Sequence, residues 1–507
     1  NNTLLGVSAG NAITTGSNNT LIGNNADVTA ATVNSAVGIG NDLYTNVASV
    51  AIGSFAGAAN TGAVGIGYSA SATGANSVAI GINSFSNHPS AISIGDTARS
   101  IGINYISIGK SSGNVSATGG ISIGEEATAD TYGVAIGSKF STLNVNATGI
   151  GAIAIGSADQ DAPTQLFASG TGAIAIGQGS QAWTKSISIG RLCGVGSTSP
   201  DNIFIGESSG LGYTTANQSI AIGRNAGTGA TLGGGNLFMG TNVGSAQPAI
   251  QFATAIGSNI QLLGNNSIAV GSNIVGGDST VGAVIAIGNN ITCNTNTTNT
   301  IQIAIGHNAQ CLESSTIAIG GKAVASGNAS TAIGSADLFG ITRASATGTI
   351  AIGTSDTLNE TLASGWGAIA IGVAAQATQM KSIAMGYHAV ASGTGAICIG
   401  ADITGAHVSI IIGNDTVSSG PFSTQIGNST LGSTGSISIG DSSGATQKGA
   451  ISIGAVSLAN GAYSTAIGAG ATGLQAASTT ADYAIAIGSG LTNGSRAYAY
   501  NSIAQGH

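Results

Sequence analysis

Along its 507 residues the chain keeps returning to one four-residue block: an apolar residue, a small one, a second apolar residue and glycine. The stretch Thr316 to Gly334, TIAIGGKAVASGNASTAIG, shows one whole period. It opens with the block Ile317-Ala318-Ile319-Gly320, turns, passes through a small-residue strand at Ala323 to Ala325, turns again at Ser326 and Gly327, and repeats the block. Fourteen residues separate Gly320 from Gly334, and about 33 block glycines can be followed from Gly6 to Gly506 at spacings mostly of 14 to 17 residues. Self-similarity at such a period marks a stacked array, in which each unit buries its face only against its neighbours. The length therefore does not divide into ordinary globular domains. It predicts one continuous solenoid over residues 1–507, with insertion loops on longer coils at 138–172 and 335–367.

The block itself reads as strand and corner. In Ile92-Ser93-Ile94, Val134-Ala135-Ile136 and Ile397-Cys398-Ile399 the first and third side chains share one face of a strand and the middle one takes the other. Glycine after the strand permits the positive φ of a tight corner, and Gly81, Gly95, Gly320, Gly334, Gly386, Gly400, Gly454 and Gly468 are assigned to such corners. No segment shows the apolar i, i+3, i+4 spacing of an amphipathic helix, so the chain is expected to be an all-β parallel β-roll of about 14–17 residues per coil. The branched face is expected to form each coil's interior. The middle residues, among them Ala79, Ser93, Ala318, Ala332, Ala384 and Cys398, are expected to face a neighbouring copy of the chain, because a strand facing water would have no reason to avoid long polar side chains there. Phe204, Phe238, Ile411 and Gln425 break that rule and mark coils where the packing must differ.

Composition removes several function classes. Charged residues make up 6% of the chain, against about 25% in ordinary globular proteins, and 83 residues are glycine. The 11 Lys and Arg are scattered, so no patch exists to neutralise phosphates and no nucleic-acid partner is expected. No run of about 18 apolar residues is present, so this segment is not expected to insert in a membrane, and any anchor is expected outside it. Four cysteines are too few for a disulfide scaffold. Two of them, Cys293 and Cys311, each follow a block glycine by five residues, which would stack them on neighbouring coils within reach of a bond.

Chemistry has few footholds. The closest acid groupings are Glu125 with Glu126 and Asp159 with Asp161. Adjacent residues of a strand point to opposite faces, so the first pair belongs in a turn; the second sits in an insertion, and both read as loop acids rather than as a catalytic pair. His88, His307, His388, His407 and His507 have no metal-ligand spacing, and neither a phosphate-binding loop nor a calcium-binding nonapeptide occurs. No catalytic residue, cofactor or metal is assigned.

The repeats resemble a known family, the YadA-like head repeats of trimeric autotransporter adhesins. Ser77-Val78-Ala79-Ile80-Gly81 reproduces that family's S-V-A-I-G block, and Tyr68 to Gly74, Gly321 to Gly327 and Tyr387 to Gly393 supply its intervening A-x-A-x-G segment. The resemblance implies a left-handed parallel β-roll, a side-by-side homotrimer and a surface-exposed adhesive head. The expected function is thus an extracellular or virion-surface structural and adhesive fibre whose first partner is itself. A host or cell-surface protein or glycan would be held by the insertions, with Phe167, Trp183, Phe339 and Trp366 as candidate anchors. The alternatives are a purely structural filament or viral fibre shaft and, further off, a solenoid glycan-degrading enzyme.

Overall fold

The structure, a computed structural model, describes residues 1–113, 116–161, 164–212, 217–228, 233–245, 250–262, 264–276, 283–293, 301–335, 340–470, 476–489 and 494–506. It is an all-β parallel solenoid of about 33 turns. Two compact units account for it, Asn1–Asn259 and Ile260–His507.

In the first unit the block strands stack in register, small residue on small residue and branched on branched. Val78–Ile80 pairs with Ile92–Ile94 as Val78↔Ile92, Ala79↔Ser93 and Ile80↔Ile94, and the same parallel register carries on to Ile106–Ile108. The second strand of each coil forms its own ladder, for example through Ser71–Ala72, Phe85–Ser86 and Arg99–Ser100. The second unit repeats the plan: Ile317↔Thr331, Ala318↔Ala332 and Ile319↔Ile333 on the block side, and Ala323–Ala325 over Thr342–Ala344 on the other. Each rung is held by main-chain bonds between coils, such as Gly320 N–H to Ile305 O at 2.7 Å and Gly334 N–H to Ile319 O at 2.8 Å.

The corners explain the invariant glycine of the block. The eight corner glycines assigned above have φ between 121° and 155°, where a side chain is strained. Space is short as well: a Cβ on Gly400 would lie 1.6 Å from the carbonyl oxygen of Gly413, and one on Gly320 1.9 Å from that of Gly334. Glycine is therefore required twice over, by conformation and by the close stacking of corner on corner. Two residues later the chain enters the left-handed region again, usually on Asn, Asp or Ser, and there Asn side chains link successive coils. Asn225 Nδ2 donates to Asn242 Oδ1 at 2.9 Å and Asn242 to Asn259 at 3.1 Å. The far corner is closed by a buried hydroxyl that turns back on the chain, as in Ser77 Oγ to Gly74 O at 2.8 Å and Ser409 Oγ to Ala406 O at 2.6 Å.

The interior reverses the expected assignment of faces. Ala79, Ser93, Ala318, Ala332, Ala384 and Cys398 are all 0% exposed within a single chain, so they line the inside of the coil and do not face a partner. Ile317 and Ile319, expected to build the core, are only partly buried and point outward. The reason is width. Small residues of the second strand, Ala323 and Ala325 among them, fill the same interior from the other side, and in the regular 14-residue coils the narrow space between the two strands has no room for branched chains on both.

In neighbouring coils of the second unit a larger block residue is balanced by a smaller one opposite it. Ala384 is matched seven residues on by Ala391, while in the next coil the larger Cys398 is matched by Gly405, where a Cβ would lie 2.4 Å from Cys398 Sγ. Gln425 is likewise matched by Gly432, where a Cβ would stand 2.4 Å from Gln425 Nε2. Phe204, Phe238, Ile411 and Gln425 are all buried in coil interiors, so the packing does differ at these sites, but inside the coil. Around Phe204 the space is cleared by Gly194 and Gly210.

Candidate attachment surface

Because the small residues point in, the branched residues of the block form an outward column. In the second unit Met385, Ile399, Ile412 and Ile426 stand one above another in the parallel register, each 37–39% exposed. Val78, Ile92 and Ile106 do the same in the first unit, all partly exposed. A soluble surface rarely carries a continuous apolar strip, and this one recurs coil after coil.

Several ion pairs hold the longer coils. Arg191 reaches over the insertion after Gly156: its Nε lies 2.7 Å from Asp159 Oδ2 and its Nη2 3.1 Å from Asp161 Oδ2, while Nη1 is 3.3 Å from Glu207. Asp159 is fully buried, and its own carboxylate also accepts the Asp161 N–H at 2.8 Å. Hydrogen bonding to Asp159 holds the Arg191 guanidinium above its ordinary range. Lys139, just inside the insertion after Gly137, contacts Glu126 and lies 3.5 Å from Glu125. Glu126 occupies a left-handed turn position, φ 55°, next to Gly124's corner. Both acid pairs are thus engaged in fastening loops to the coil.

The third fastening uses a histidine. Asp356 accepts N–H bonds from Leu358 at 2.8 Å and Asn359 at 2.5 Å, shaping the loop after Gly353, and its other oxygen meets His388 Nε2. His388 Nδ1 lies 3.2 Å from Asp402, and the ring stacks on Tyr387 at 3.9 Å between centroids. The hydrogen bond to Asp356 raises the pKa of His388, and the same bond lowers that of Asp356. Arg343 and Glu360, also on long coils, pair at 3.3 Å.

The remaining histidines and aromatics are dispersed. His88 Nδ1 contacts Asn87 at 2.7 Å, His407 packs edge-on to Phe422, and His307 follows a block glycine on the surface. Among the described residues no three His, Cys, Asp or Glu converge as metal ligands. Phe167 and Trp183 pack against each other edge to face at 5.7 Å, both half-buried. Trp366 is 55% exposed, with Lys381 Nζ 5.7 Å from its ring centroid. Phe339 and His507 lie outside the described residues, as does part of the 335–367 coil. A feature absent from the sequence reading is the aromatic residue at the far corner, laid over a glycine of the coil before: Tyr132 over Gly119, Phe252 over Gly235 and Tyr463 over Gly449. Cys293 and Cys311 are directly paired in register and both buried. Among the described residues no helix is long and apolar enough to cross a membrane.

Six segments, residues 58–84, 168–190, 314–336, 363–389, 380–402 and 445–471, match the YadA head domain repeat. They fall in both units, and the regular 14-residue coils are prominent among them. No curated protein matches the chain.

Proposed function

We propose that this solenoid of YadA head domain repeats is the extracellular head of a homotrimeric adhesin, displayed at a bacterial cell surface, with attachment and no catalysis as its task. The observation that carries the reading is the outward column of half-exposed branched residues, exemplified by Ile399, Ile412 and Ile426. Fully burying such a side chain is worth about 1.5–3 kcal/mol, so covering the exposed part of each is worth roughly 1 kcal/mol. Repeated on every coil, this is enough to offset the cost of ordering three chains side by side. The face that assembles the trimer is therefore the branched one, and the small residues serve the coil from within.

The match to a head repeat supports the cell-surface setting over a virion shaft. The insertions fastened by Arg191, Lys139 and His388 are the surfaces free to vary, since strands and corners are fixed by packing. Threefold presentation would multiply a weak contact, by about 10²–10⁴ where geometry allows simultaneous engagement. The test is adhesion of the purified protein to immobilised host-surface proteins and glycans, compared with an Ile399→Lys/Ile412→Lys variant. Binding that collapses in the variant is expected. Equal binding by both proteins, or no adhesion to any surface, would overturn the reading.

A further inference from the structure

The interior column that runs through Gly276, Cys293, Cys311 and Ala325 places two sulfur atoms on consecutive coils and none on the coils above and below. Cys293 and Cys311 are 1% and 0% exposed, and both side chains point into the solenoid at in-register positions. Neighbouring parallel strands lie about 4.8 Å apart, inside the 4.4–6.8 Å Cα separation that a disulfide spans. The column also has slack. A Cβ on Gly276 would meet nothing closer than 3.5 Å, so the layer next to Cys293 can absorb the small lean that a bond requires. The contacts given up are weak: Cys311 Sγ to Ile303 O at 3.1 Å and to Thr316 O at 3.6 Å.

We propose that Cys293 and Cys311 form an inter-coil disulfide when the protein folds in an oxidising compartment, clamping the coil that ends at Gly306 to the coil that follows it. Cys398 stands in register between Ala384 and Ile411, and Cys193 lies buried outside the strand ladders, so both stay reduced. The chemistry needs an external disulfide as oxidant. The thiolate of Cys311 attacks one sulfur of that disulfide and expels a thiolate, giving a mixed disulfide. The thiolate of Cys293 then attacks Cys311 Sγ and releases the second. Two protein S–H bonds become one S–S bond, and the oxidant leaves as two thiols carrying both electrons and both protons. Either cysteine can open the exchange, and the balance is the same with their roles interchanged. Once the coils have closed, both sulfurs are shielded from solvent, so the bond forms as they stack and persists afterwards.

The experiment uses the whole chain secreted into an oxidising periplasm, with glutathione disulfide present during purification. Denaturation in guanidinium with N-ethylmaleimide and no reductant should add two labels per chain, on the Cys193 and Cys398 peptides, and digestion should yield the Cys293 and Cys311 peptides linked. Reduction before labelling should raise the count to four. The Cys293→Ser variant should label at three positions without reductant and show no linked pair. Four labels on the unreduced native sequence, or a link involving Cys193 or Cys398, would overturn the proposal.

Discussion

Replacing Gly405 by Ala, alone and together with Cys398→Ala, tests which way the block's small residue points. In the folded chain a Cβ at Gly405 would lie 2.4 Å from Cys398 Sγ, 3.1 Å from Ser409 Oγ and 3.5 Å from Ala396 Cβ. Backbone strain does not confuse the result, because Gly405 is not among the positive-φ glycines. Overpacking of this kind costs about 1–3 kcal/mol. Cys398→Ala alone removes one heavy atom from a buried site and should cost about 1 kcal/mol. Together the two changes recreate the Ala384 and Ala391 pairing of the coil below, so the double variant should be more stable than the sum predicts by roughly 1–2 kcal/mol. A long solenoid does not melt as one unit, so the readout is hydrogen exchange of the amides in Ile397–Ala401 and Ile410–Asn414. A tenfold change in protection corresponds to about 1.4 kcal/mol. If the two effects simply add, to within about 0.5 kcal/mol, Cys398 and Gly405 do not share an interior, and the inward assignment of the small residues fails.

Gly400→Ala combines a φ of 145° with a Cβ 1.6 Å from Gly413 O, and it should cost more than about 3 kcal/mol locally and raise proteolysis of the surrounding coils; unchanged protection there would contradict the corner argument. Phe204→Ala should cost about 3–5 kcal/mol, since Gly194 and Gly210 leave nothing to fill the space, and a value below about 1 kcal/mol would mean the ring is not interior. The loop held by His388 should respond to pH from both sides. His388 has its pKa raised in the folded state, so its contribution is complete below the unfolded value and is lost as pH rises through the folded one. Asp356 has its pKa lowered, so its contribution is present above the unfolded value and is lost as pH falls through the folded one. Protection of the Leu358 and Asn359 amides, corrected for intrinsic exchange, should therefore peak between the two folded values, and His388→Gln should remove the decline on the alkaline side; a flat profile in the unsubstituted protein would refute the coupling.

Much of the architecture was legible because the repeat states it many times. Alternation in Ile92-Ser93-Ile94 defines a strand, the glycine after it defines a corner, and constant spacing defines parallel stacking. Counting from the block glycine was enough to align Cys293 with Cys311. What alternation cannot decide is which face is inside, since it says only that residues share a side. Two clues to the true answer were present in the letters: the second strand is also built from small residues, as at Ala323 and Ala325, and a larger block residue is matched seven residues later by glycine, as Cys398 is by Gly405. Both record a narrow interior. The loop fastenings were not legible, because Asp159 and Arg191 are 32 residues apart and their meeting depends on how an insertion folds back across the coil.

The central claim is that three copies assemble through the branched face of the block. Native mass spectrometry of the intact chain, alongside Ile399→Lys/Ile412→Lys, tests it most directly, because these outward residues do not support the coil interior. The account predicts three times the monomer mass for the unsubstituted chain, and loss of that species in the variant while the folded β signal is retained, since each lysine would be carried three times into one apolar seam. A stable monomer before substitution, or a trimer that survives both lysines, would contradict it.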